Sequence, residues 1–230
     1  MVANNETGCM IEIVGDVHGK FYDFARMDRG VPIIQIGDMG IGFRGIDNYG
    51  ETGKQSYPTT MPDNIHFIRG NHDNPQVCEG HPNHLGKFGV KEIAGLRIGF
   101  IGGGYSVDHP TNTEYVYQRI PNIDWWEDEE LSMVELQAAI DLITDEKDGI
   151  DIMVSHEAPS EITKLMMRKK PARTRTALAL QALFENLCDT NKLPKLWVFG
   201  HFHETRMIHM NGINFHCLGE LTKMKVDIVK

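Results

Sequence analysis

The chain has 230 residues, 41% of them hydrophobic and 24% charged, with a formal net charge of −9. That composition supports one core of ordinary size, and no apolar run approaches the ~20 residues of a membrane span. The acidic balance argues against binding duplex nucleic acid, which leans on Lys and Arg against phosphate. Residues 1–8 are polar, lack a basic-then-apolar leader pattern, and are expected to be a flexible N-terminus ahead of one domain over 9–230. The cysteines (Cys9, Cys78, Cys188, Cys217) are scattered without paired spacing, which reads as a reduced, cytoplasmic protein.

Short apolar, mostly β-branched runs recur at 10–14, 31–36, 65–68, 98–101, 150–154 and 196–199. Continuous runs of this kind suit strands buried on both faces. A short helix is expected over 21–28. A helix over 129–143 carries Met133, Leu136, Ile140 and Ile143 on one face, and another over 174–188 carries Leu180, Leu183 and Leu187, with Thr174 or Thr176 as N-cap. Asn211-Gly212 between apolar runs predicts a hairpin. The polar, glycine-containing stretch 40–62 predicts a long loop. The fold class is α/β.

Five short blocks follow five of the six apolar runs: Asp16-Val17-His18, Gly37-Asp38, Gly70-Asn71-His72-Asp73, Ser155-His156 and Gly200-His201-Phe202-His203. Open α/β sheets place their sites at the carboxyl ends of strands. The blocks supply carboxylate, imidazole and one amide oxygen, with no thiolate. That donor mix suits two neighbouring divalent ions with room for water and phosphate oxygens. A carboxylate has two oxygens, so Asp38 can be shared between Asp16, His18, Asn71, His156, His201 and His203. His72 is left over as a ligand and stands beside one, where a general acid would serve; Asp73 or another carboxylate could orient it. Alone, each block has a plainer reading: Asp16 as a turn cap, 71–75 as a turn, the histidines as core residues. Trp125 and Trp126 read as packing residues or as a base-stacking wall. The basic stretch 164–175 reads as a solvated helix end or as a rim for an anionic substrate. Cys78, His81 and His84 have a loose zinc-like spacing, but no second pair completes a tetrahedral site.

Taken together the five blocks resemble the signature of the calcineurin-like metallophosphoesterases over residues 16–203. The segment from Gly102 to Asp108, with Trp125-Trp126 and Glu129-Glu130, resembles stand-alone bacterial and phage members. The resemblance implies a single-domain, four-layer α/β/β/α sandwich. It implies Asp16, His18, Asp38 and His203 on one ion and Asp38, Asn71, His156 and His201 on the other, with His72 as the catalytic histidine. Manganese is the first candidate, with Fe, Zn, Ni and Co also suited. The implied reaction is hydrolysis of a phosphate ester by in-line attack of a hydroxide bridging the two ions, on a small nucleotide-like or phosphodiester substrate. Phosphomonoesterase or protein phosphatase activity, or a non-catalytic binding module, are the alternatives, and the presence of His72 favours an enzyme. The second block departs from the protein phosphatases of this superfamily. It reads Gly37-Asp38-Met39-Gly40-Ile41-Gly42, without the Asp and Arg that follow in theirs, which predicts better turnover of diesters than of monoesters. Substrate contacts are then expected from Arg44, Arg69 and Tyr105.

Overall fold

The computed structural model describes residues 9–43, 57–168 and 172–228. Residues 1–8 and Arg44, and Lys169 and Lys170 of the basic stretch, lie outside the described residues, as does most of the expected loop 40–62.

Every apolar run becomes a strand. In chain order the elements are β1 (Cys9–Val14), α1 (Phe21–Ala25), β2 (Ile33–Ile36), β3 (Ile65–Ile68), α2 (Pro75–Glu79), β4 (Phe88–Ile93), β5 (Leu96–Ile101), α3 (Met133–Asp145), β6 (Ile152–Ser155), α4 (Ser160–Met167), α5 (Arg175–Asp189), β7 (Leu196–Phe199), β8 (Arg206–Met210), β9 (Ile213–Cys217) and β10 (Lys223–Ile228). Two mixed sheets form, in the orders β10-β1-β2-β3 and β4-β5-β6-β7-β9-β8. The central pairs β1–β2, β2–β3, β5–β6 and β6–β7 are parallel.

The period of two along each strand separates the layers. Ile11 and Ile13 of β1, Ile34 and Ile36 of β2, Ile152 and Val154 of β6 and Val198 of β7 meet in the layer between the sheets. The alternate residues Val14 and Ile33 face the other way, against Phe24 of α1 and Cys78 of α2. Met153, Trp197 and Phe199 turn outward onto α3, α4 and α5. The result is helices, sheet, sheet, helices: the four-layer sandwich.

Helix starts follow their caps. Thr174 accepts from the backbone N–H of Ala177 and opens α5. Ser132 and Glu135 form a reciprocal capping box, so α3 begins at Met133 rather than 129, and Met133 is exposed rather than on the core face. Glu129 and Glu130 instead lie buried ahead of the helix. Asn211 (φ 50°) and Gly212 (φ 86°) both take the left-handed region that the tight β8–β9 hairpin needs. Helix α1 ends at Ala25, three residues short of the expected end.

Candidate metal centre and active site

The donors arrive from both sheets. Asp16, Asp38 and Asn71 follow β1, β2 and β3; His156, His201 and His203 follow β6 and β7. Four of these positions, His18 (φ 48°), Asp38 (φ 55°), His201 (φ 68°) and His203 (φ 54°), hold left-handed backbone. Non-glycine residues take that region at a cost, and functional sites are where such strain collects. The motif glycines have a steric reason. A Cβ on Gly70 would collide with the Asp38 carboxylate, and one on Gly200 with the Asp16 carboxylate.

The side chains converge as two groups. In the first, His18 Nε2 lies 3.0 Å from His203 Nε2 and 3.8 Å from Asp38 Oδ2, and His203 Nε2 lies 3.4 Å from Asp16 Oδ2. One donor atom from each of Asp16, His18, Asp38 and His203 fits within a 4.8 Å cluster. In the second, Asn71 Oδ1 lies 3.0 Å from His156 Nε2 and 3.0 Å from His201 Nδ1, and Asp38 Oδ1 lies 3.2 Å from His156 Nε2. Asp38 therefore turns one oxygen to each group.

The surroundings orient these donors. His156 Nδ1 lies 3.0 Å from the Ile36 carbonyl, a contact that puts its proton there and leaves the Nε2 lone pair facing the site. Asn71 Nδ2 donates to Ser106 Oγ (3.2 Å), and Ser106 Oγ donates to Glu129 (2.6 Å), which fixes the amide with Oδ1 toward the histidines. Burial raises Asp16 to about 7 and lowers His201 to about 3. Burial would also lower His156, but the Asp38 charge beside it outweighs this and holds it up at about 10, so an ion bound there would take the place of the Nε2 proton. Two buried carboxylates among facing imidazole lone pairs form a donor set that fits divalent cations.

His72 lies next to these groups. Its ring meets His18 edge-on at 4.7 Å and Phe43 at 4.8 Å. Asp73 does not orient it: both its oxygens accept backbone N–H groups, from Gly70, Met39, Gly40 and Ile41, and so tie the second block to the third. The ring's partner is Arg119, whose Nη2 sits 2.6 Å from His72 Nε2. A guanidinium only donates, so His72 Nε2 accepts. Burial lowers His72 to about 3, in the same sense. Arg119 is itself held by Asp108 (2.8 Å) and by the Asn71 carbonyl (2.8 Å).

A cavity of about 1010 Å³ opens over Asp38, Asn71, His72, His201 and His203, and Tyr105 and Arg119 line it. Arg69 does not. It is 1% exposed, donates to the Glu129 carbonyl (3.0 Å), and lies behind Gly102, so the expected phosphate contact is corrected. Trp125 and Trp126 pack against His109 and Phe43, outside the cavity lining. His81 bonds to the Pro58 carbonyl and, with His84, packs on Phe67, and the two form no metal-ligand group with Cys78 among the described residues. Lys164 pairs with Glu161 rather than facing the cavity. Arg119 carried no signal in the sequence, and Glu129 entered only as part of the resemblance to stand-alone bacterial and phage members. Each reaches the site only through folding of the segment between β5 and α3.

Fold and site together define an α/β metallophosphoesterase-type protein with a His/Asp donor group of a shape that could hold a metal ion. The family model for calcineurin-like phosphoesterases matches residues 11–205, and the chain belongs to that family. No curated protein sequence matches it. Among solved structures it is similar to a presumed 5′-nucleotidase of Staphylococcus aureus in complex with α-ketoglutarate, at 12% identity and TM-score 0.51, covering 96% of this chain and 51% of that one. It is also similar to an uncharacterised Streptococcus pneumoniae protein predicted to be a phosphoesterase (12% identity, TM-score 0.41, 96% and 84% covered). A third is GAP50, the anchor in the inner membrane complex of Plasmodium (15%, 0.43, 92% and 72%). These likenesses concern the fold. Among the described residues no helix is long and apolar enough to cross a membrane.

Proposed function

We propose that this protein is a dinuclear, divalent-metal-dependent phosphoesterase acting as a single domain on a small, nucleotide-like phosphate ester. The observation that carries this reading is the Asp38 carboxylate, with Oδ2 toward His18 and Oδ1 toward His156. Asp16, His18, Asp38 and His203 would hold one ion, and Asp38, Asn71, His156 and His201 the other, with manganese the first to test. Such a pair of ions supplies Lewis-acid activation of water and positive charge for phosphate oxygens. Free thiols at Cys78, Cys188 and Cys217 are in keeping with a cytoplasmic location.

The chain's own groups do the rest. Ser106 and Glu129 keep the Asn71 oxygen turned inward. The Ile36 carbonyl keeps His156 in the right tautomer. A general acid at His72 would need its proton on Nε2, the nitrogen that accepts from Arg119. The reading that best suits this geometry gives the donor role to the pair: His72 holds the guanidinium, and Arg119 offers charge to the substrate oxygen. Arg119 is also a cation the second block lacks, so the reasoning that favoured diesters no longer separates them from monoesters.

The test is a substrate panel on metal-stripped protein reconstituted with one ion at a time, beside metal analysis of variants. Two ions per chain and hydrolysis of nitrophenyl phosphates are expected. Asp38→Ala should lose both ions, whereas His18→Ala should mainly empty one. Retention of two ions by Asp38→Ala would sink the assignment.

A further inference from the structure

The wall of the cavity above the donor groups is not ordinary surface. Val116 is 91% exposed, Tyr117 85%, Val107 52% and Tyr115 44%, and all of them line the cavity. Large apolar side chains left in water together, at the mouth of a cavity, mark a place where something apolar binds. Tyr105 continues the wall inward, its ring parallel to that of His109 at 6.1 Å. Tyrosine rings give flat contact area with little side-chain freedom to lose on binding.

Charge restricts the occupant further. Among the described residues that line the cavity, Arg119 is the only Lys or Arg, and it sits at the floor beside His72. The acidic groups on the same wall are Asp108, already paired with Arg119, and Glu114. The floor therefore suits one phosphate, and among the described residues the wall offers no cation to a second.

We propose that residues 105–117 form a leaving-group subsite for a planar, uncharged aromatic group. The substrates are then esters with a single phosphate on a nucleoside or aryl alcohol, not polyphosphates or alkyl phosphates. This deepens the phosphoesterase reading and rests on it.

Benzylphosphonate and methylphosphonate present the same anionic head, cannot be hydrolysed as esters, and differ by the ring. Calorimetry on the manganese-loaded protein should show benzylphosphonate binding about tenfold tighter or more, as stacking on an aromatic side chain gives elsewhere. Tyr115→Ser with Tyr117→Ser changes two exposed side chains. That double variant should bring the two affinities within about twofold and leave methylphosphonate binding unchanged. Equal affinities in the parent, or a ratio unaltered in the double variant, would overturn the subsite. If neither phosphonate binds the metal-loaded protein, the phosphoesterase reading itself fails, and the subsite with it.

Discussion

The place of the Arg119 guanidinium beside His72 puts its charge at the open end of the site. A monoester dianion has one more negative oxygen to meet than a diester. Arg119→Gln keeps a donor but removes the charge. It should lower kcat/KM for nitrophenyl phosphate on the order of 10²–10³-fold, with a loss about tenfold smaller for bis-nitrophenyl phosphate and metal content unchanged. Equal losses on both esters would mean that Arg119 only props the 105–119 segment. His72→Ala should keep its metal and lose turnover on the order of 10²–10³-fold, the scale of one lost electrostatic donor, because it releases the Arg119 guanidinium. Combining it with Arg119→Gln should cost little more than either change alone, because the two act as a unit. The five blocks of candidate donors were readable in the sequence because each follows a strand that is itself readable. Arg119 was not: it meets His72 across 47 residues of chain with no periodic pattern between them.

At the scale of elements, α3 shows how one side chain serves two purposes. Glu135 closes the capping box with Ser132 and also pairs with Lys87, which in turn reaches Glu79 at the end of α2. The Lys87 hydrogen bond, helped by those from Ser132, holds Glu135 down at about 2, below its ordinary 4.5. A depressed carboxylate stabilises the fold fully above its unfolded value, and the contribution fades as pH falls toward the folded one. Glu135→Gln should therefore lower Tm near neutral pH, and its gap to the parent should narrow as pH falls from about 5 to about 2. A gap of constant size over that range would leave the ion pair no part in stability. The strands that escaped sequence reading share a cause. Strands β4 and β10 lie at sheet edges and carry Lys91, Glu92, Lys223, Lys225 and Asp227 among their apolar residues, so neither forms a continuous apolar run. Helix α4 starts at a Pro159 cap with no side-chain hydrogen bond and gave no start signal.

For the whole molecule, the two sheets contribute different halves of the donor set, so bound ions join parts that otherwise meet through the Ile- and Val-rich layer between them. Ions that bind only the folded chain should stabilise it by about 2.7 kcal/mol per site at a hundred times Kd. Calorimetric Tm should rise with added manganese and fall with chelator, and Asp38→Ala should abolish most of that response. A Tm indifferent to the ion would separate the donor groups from any binding role. The stacking of two sheets was available to the sequence only through resemblance. Strands buried on both faces announce themselves, but their partition between two sheets depends on pairings between distant residues.

Strand β10 pairs along the full length of β1, Cys9 with Ile228 through Val14 with Lys223, and Lys223 reaches across to the buried Glu12. During synthesis β1 leaves the ribosome long before β10. At roughly 5–20 residues per second, one side of it stays open for about 10–40 s. An unpaired strand rich in isoleucine is a template for other nascent chains. Yield in a cell then depends on what shelters that edge while the rest of the polypeptide is being made, a demand that the finished protein no longer shows.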